Sequence, residues 1–288
     1  MLVKAQKRKM GLFNKYFKEI KKQNQNYSAF VSLRFNSFNE NLKRKKVKEI
    51  MEKLFDFLRV LGGDTYLSDS LFVWGRELGW IRDNKFLNSC EETSLSTETN
   101  IVNSSISWRT HIACWAASHA CNAKGDFFEF GCHAGYTACM IRNFVEDKHR
   151  EKNECRKFFW FDMFSAGDGG SEKTLQVDQS TSEITAINRS KLFDNVFVIK
   201  GDVLNTYVGN DFFSGRKIGF AHFDLNDYAV ELSVIKKAIK CAESGTVFLF
   251  DDFAMAPFRK QNIKYRKFFR DIGLEMLELP TGQGVVIF

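Results

Sequence analysis

A series of short apolar runs, each closed by a glycine or an acid, recurs along the second half of the chain. Phe127–Phe130 leads into Gly131, Phe158–Phe161 into Asp162, and Val196–Ile199 into Gly201 and Asp202. Ile218–Ala221 leads into the acidic segment around Asp224, and Gly245–Leu249 into Asp251 and Asp252. Between them lie stretches with helical patterning, such as Ala229–Ala242. Strand-length runs separated by helices predict βαβ units and a largely parallel sheet. In such an open α/β sheet, ligands bind outside the carboxyl ends of the strands. The residues that close each run are therefore the candidate site.

Two of these closing segments are acidic: His222-Phe223-Asp224-Leu225-Asn226-Asp227-Tyr228 and Phe250-Asp251-Asp252-Phe253. Asp224, Asp251 and Asp252 at neighbouring strand ends suggest a hard divalent cation such as magnesium, which takes oxygen ligands. The competing reading is that these Asp and Asn residues form turns. His222 and Asp224 alternate onto the same face of their strand. Glu129-Phe130-Gly131-Cys132-His133-Ala134-Gly135 reads as a strand end, a glycine turn and a helix start. Its spacing is not that of the dinucleotide fingerprint, but its glycines allow close backbone approach to a ligand. Asp162 is placed to accept from ribose hydroxyls and Asp202 from an adenine amino group. Together they suggest an adenosine cofactor at a topological switch point.

Taken together, E-F-G-x-x-x-G, W-F-D-M-F, G-D-x-x-x-T, H-F-D-x-N-x-Y, F-D-D-F and P-T-G-Q-G resemble the macrocin O-methyltransferase family. Trp108-Arg109-Thr110-His111 and Trp115-Ala116-Ala117 resemble the helix that precedes the first strand in related sequences. The resemblance covers about residues 104–288. It implies a Rossmann-like, doubly wound class I methyltransferase sheet, S-adenosylmethionine as cofactor, and magnesium or another divalent cation. It also implies methyl transfer to a hydroxyl of a sugar or glycosylated small molecule. Its site residues would be Glu129, Gly131, His133, Gly135, Asp162 and Asp202 for the cofactor. Asp224, Asp251 and Asp252 would hold the metal, and Asp224 or His222 would act as base. The family pattern D-x-D-x-Y is here Asp224-Leu225-Asn226-Asp227-Tyr228, with an amide in place of the second acid. Methyl transfer to another acceptor such as RNA, or adenosine binding without catalysis, are the competing functions.

The chain has 288 residues and a net charge of +7. That charge is unevenly spread: residues 1–50 hold 14 Lys and Arg against 3 Glu, and the rest holds 28 basic and 32 acidic side chains. We divide the chain into a basic, mainly helical N-terminal extension (1–104) and a methyltransferase domain (105–288). In the extension, Leu12, Phe13, Tyr16, Phe17 and Ile20 share one helical face, and residues 41–61 share that pattern. Short helices are expected within 65–92, and a loop over 91–104. The extension is expected to shape the acceptor pocket or form a homodimer contact. The basic runs at Lys7–Lys9 and Lys43–Lys46 lack interleaved aromatics, which disfavours single-stranded nucleic acid. No run reaches the roughly 20 apolar residues of a membrane span. Seven cysteines without a C-x-x-C pair point to reduced thiols and a cytoplasmic protein. The 30 phenylalanines read as compositional bias. The glycine-containing polar stretch from Asp162 to about Gln179 is longer than an ordinary strand–helix loop.

Overall fold

The computed structural model describes residues 53, 56, 64–69, 71–95, 106–152, 156–164, 179–255 and 258–288. The amphipathic pattern over 1–26 and most of the 162–179 stretch lie outside these residues. The chain divides into two compact units, one of residues 1–79 with 103–107 and the other of 80–102 with 108–288.

In the first unit, β1 (Asp64–Ser68) and β2 (Leu71–Arg76) form an antiparallel hairpin. Short helices were expected over this stretch. Strands form instead, with Tyr66 registered opposite Val73, an aromatic and a β-branched residue of the kind that favours a pleated ladder. Asp69 makes the turn possible: it sits at φ 51 and accepts a hydrogen bond from the Tyr66 hydroxyl. The helix expectation holds further on, in the second unit, at α1 (Asn84–Leu95), which also takes up the first residues of the expected loop. Asp83 caps α1: its carboxylate accepts from the Lys85 amide at 2.9 Å.

The second unit continues with α2 (Ser107–Ala120), β3 (Asp126–Phe130), α3 (Tyr136–Lys152), β4 (Phe158–Asp162) and α4 (Gln179–Ser190). There follow β5 (Val196–Lys200), β6 (Ile218–Phe223), α5 (Tyr228–Ile239), β7 (Ala242–Phe250), α6 (Arg259–Asp271), β8 (Leu277–Glu278) and β9 (Gly284–Ile287). The strands make one seven-stranded sheet in the order β5-β4-β3-β6-β7-β9-β8. Strands β3 to β7 pair in parallel, while β9 runs antiparallel to both its neighbours. The chain builds outward from β3 to β5 and then returns to β6, so the order reverses between β3 and β6. This is the fold of the class I methyltransferases, with helices on both faces of a Rossmann-like sheet.

Strand alternation sorts the side chains into two cores. Phe127, Phe158, Trp160 and Phe220 pack with Ala113, Ala117, Met140 and Ile141 of α2 and α3. Phe128, Phe130, Phe161, Phe223 and Phe250 pack with Val234, Ile235, Tyr265 and Phe269 of α5 and α6. The abundant phenylalanine thus has a structural use. On the second face a row of rings crosses four strands, with centroid separations of 5.1 Å for Phe130–Phe161, 5.3 Å for Phe130–Phe223 and 4.8 Å for Phe223–Phe250. Burying each such ring contributes about 1.5–3 kcal/mol. No described helix is long and apolar enough to cross a membrane.

Candidate functional site

Backbone bonds extend the parallel ladder past the strand ends and tie the loops together. Gly131 N–H and Cys132 N–H donate to Phe161 O at 2.9 and 3.0 Å, Asp224 N–H to Phe130 O at 2.8 Å, and Asp251 N–H to Phe223 O at 3.0 Å. The glycine turn after β3 needs its glycine: Gly131 sits at φ 91, and a Cβ there would overlap the carbonyl oxygen of Asp224. The glycine turn and the loop that carries Asp224 are therefore packed backbone to backbone.

His133 also has a positive φ, at 47, and its N–H donates to Asp162 Oδ2 at 2.7 Å. Asp162 Oδ1 accepts from Phe164 N–H at 2.7 Å. A carboxylate oxygen has more than one acceptor direction, so Asp162 keeps capacity for ribose hydroxyls. His133 Nε2 lies 3.1 Å from Ser182 Oγ, and buried Arg189 donates to Ala134 O. Both supports come from α4, and nothing in their sequence spacing singles them out. The glycine turn and Asp162 are thus joined through the His133 amide. Asp202 stands on the exposed turn after β5, where its Oδ1 accepts from Leu204 N–H at 2.9 Å, as a turn-forming Asp does.

A second cluster crosses β3, β6 and β7. Glu129 and His222 are register partners on β3 and β6, and His222 faces Leu249 on β7. His222 Nδ1 lies 3.5 Å from Glu129 Oε1, and its Nε2 lies 3.5 Å from Asp251 Oδ1. Burial works against protonation of this imidazole, but Glu129 and Asp251 outweigh it and raise its pKa well above the ordinary value. Burial raises Glu129, against the pull of His222. Glu129 therefore lies inside the sheet rather than on the glycine turn, and His222, 2% exposed, faces two protein carboxylates rather than a cleft.

Asp251 also receives Gln283 Nε2 at 3.0 Å and Arg109 Nε at 3.2 Å on Oδ1, with Arg109 Nη2 on Oδ2. Burial opposes its ionisation, yet His222, Arg109 and Gln283 hold its pKa below the usual carboxylate value. Asp252 Oδ1 accepts from Arg109 Nη2 at 3.0 Å, and burial together with the Asp251 charge raises its pKa. Among the described residues, no Lys or Arg forms an ion pair with Asp224. Burial, then Asp251 and Asp252, push its pKa well above the ordinary range, with His222 and Arg109 opposing. Asp224 lines a cleft with Asn226, Glu231, Asp252, Gln261 and Asn262.

The residues that depart from D-x-D-x-Y take turn and cap positions. Asn226 sits at φ 57, a left-handed conformation that Asn tolerates better than most side chains. Asp227 caps α5, accepting from Ala229 N–H at 2.8 Å and Val230 N–H at 3.1 Å. Among the described residues, no group of three or more His, Cys, Asp or Glu side chains is arranged to hold a metal ion. The expected cation on Asp224, Asp251 and Asp252 does not fit this arrangement, because Arg109 already fills the space between two of them. Arg109 is the residue that sequence spacing did not assign to this cluster.

Residues 128–253 match the family model described as a methyltransferase domain. No curated protein sequence matches the chain. Two structures of CalS11 share the fold. One is an apo form described as a TDP-rhamnose 3'-O-methyltransferase, with a TM-score of 0.51, 15% identity, and coverage of 70% of this chain and 93% of that one. The other, described as a calicheamicin methyltransferase, has a TM-score of 0.51 and 14% identity, covering 79% and 98%. The O-methyltransferase NovP gives 0.48 and 17% identity over 62% of this chain and 78% of that one. The match over 128–253, together with a strand order shared with class I methyltransferases, makes this chain a methyltransferase.

Proposed function

We propose that the chain transfers the methyl group of S-adenosylmethionine to a hydroxyl oxygen of a sugar or glycosylated small molecule. The observation that carries this reading is Asp224. It is a carboxylate of raised pKa, packed through its backbone onto the glycine turn and opening onto a cleft lined by the amide side chains Asn226, Gln261 and Asn262. Amides that both donate and accept suit a polyhydroxylated acceptor. The sugar acceptor named for CalS11 is consistent with this.

Gly131, His133, Gly135 and Asp162 would hold the cofactor, which supplies an electrophilic methyl group when bound. Asp224 takes the hydroxyl proton as the oxygen forms its new bond to carbon and the sulfonium C–S bond breaks. A carboxylate made more basic by burial is a better acceptor for that proton.

Calorimetry with S-adenosylhomocysteine tests the cofactor: wild type binds, and Asp162→Ala binds more weakly by roughly tenfold, about 1.4 kcal/mol. Binding of NAD in place of S-adenosylhomocysteine would overturn the reading. For the base, kcat/KM rises with pH as Asp224 loses its proton, at a pH above the ordinary Asp range. Asp224→Asn loses that limb and about 100-fold or more in kcat. An unchanged pH profile in that variant removes Asp224 from the proton transfer.

A further inference from the structure

The acid pair at the end of β7 is already bound by a cation from within the protein. Arg109 reaches it from α2, a separation of 142 residues in sequence, and its side chain is only 14% exposed. Nη2 bonds Asp251 Oδ2, Asp251 O at 2.8 Å and Asp252 Oδ1 at 3.0 Å. Nε takes Asp251 Oδ1 at 3.2 Å. That same oxygen has Gln283 Nε2 at 3.0 Å and His222 Nε2 at 3.5 Å. The Gln283 amide is itself fixed: its Oε1 accepts from Thr281 Oγ1 at 3.0 Å, and its Nε2 also donates to Arg109 O at 3.3 Å. Three nitrogens crowd one carboxylate oxygen.

A divalent cation such as magnesium needs free carboxylate oxygens at about 2.0–2.1 Å in near-octahedral order. Here the oxygens of Asp251 and one of Asp252 are spent on a guanidinium, which carries its charge at every physiological pH. Arg109 cannot readily step aside. Its helix is fixed by the fully buried Ala113, Cys114, Ala116 and Ala117, and its fork grips both acids at once.

We propose that Arg109 takes the place in this chain that a divalent cation holds in metal-assisted methyltransferases. It is a positioning residue: a fixed positive charge that holds Asp251 and Asp252 and offsets their repulsion of Asp224. Turnover then proceeds without a divalent metal. The turnover part rests on the methyltransferase reading; the exclusion of metal by Arg109 does not.

Manganese binding followed by electron paramagnetic resonance tests this on the full chain. Wild type leaves Mn²⁺ free up to about 1 mM, and its turnover persists in excess chelator. Arg109→Gln, folded by circular dichroism, binds Mn²⁺ at least roughly tenfold more tightly, and adding Asp251→Asn removes that gain. Arg109→Lys keeps the metal out, because one positive charge remains. Micromolar Mn²⁺ binding by wild type that Asp251→Asn abolishes would overturn the proposal without any variant of Arg109. So would a folded Arg109→Gln that gains no metal, or turnover that chelation stops and magnesium restores. If wild type fails to bind S-adenosylhomocysteine while the Mn²⁺ results hold, the methyltransferase reading fails and the exclusion of metal by Arg109 stands.

Discussion

Glu231 is buried beneath the Asp224 loop, at 8% exposure. Its Oε1 accepts from the Tyr265 hydroxyl at 2.7 Å, and its Oε2 accepts from Leu225 N–H at 3.2 Å. Burial pushes its pKa up to about 7, against these two bonds. The unfolded chain loses this proton near pH 4.3, well before the folded one. Stability that comes from keeping the proton is therefore complete below that value and is lost as pH rises towards 7. Glu231→Gln has no proton to lose. Its stability relative to wild type should improve by about 2–3 kcal/mol between pH 5 and pH 8, at 1.36 kcal/mol per pKa unit. Urea denaturation of both proteins at the two pH values measures this. A difference that does not change with pH would mean that Glu231 is ionised in the folded protein.

At the scale of elements, Asp227 belongs to α5 rather than to the acid cluster. Asp227→Ala removes two cap bonds and should cost about 1 kcal/mol of stability. Thermal melts and kinetics together check it, since turnover lost far beyond the stability change would place Asp227 in the site after all. The βα series and the strand-end positions of Asp162, Asp224, Asp251 and Asp252 were legible because buried parallel strands read as short apolar runs. The β1–β2 hairpin was not. Its turn rests on Asp69 at positive φ, and its pairing is set by cross-strand contacts that a helical periodicity search passes over. The neighbours of Asp251 were not legible either. Arg109 and Gln283 stand 142 and 32 residues away, and only the folded sheet brings them to the same oxygen. Likewise, Glu129 reads as a strand-end acid, but register pairs it with His222 inside the sheet.

For the whole molecule, the uneven charge and the packing point to the same division of labour. The basic side chains are concentrated in the first 50 residues, while the remainder is slightly acidic. The two described cores that cover the sheet draw on Phe86 and residues beyond it. The glycine turn, Asp162, Asp224 and the Arg109 cluster all lie in the second unit. A unit that supplies its own core and the proposed cofactor-holding groups should keep its ligand affinity when a separate segment is removed. Deleting residues 1–60 should therefore leave S-adenosylhomocysteine affinity within about twofold, roughly 0.4 kcal/mol. Acceptor turnover and sedimentation of the truncated protein then report what the extension contributes. If turnover or self-association falls while cofactor affinity holds, the extension serves the acceptor or a second copy of the chain. If the truncated protein folds but loses cofactor affinity in step with turnover, the second unit is not self-sufficient, and the division at the methyltransferase domain is wrong.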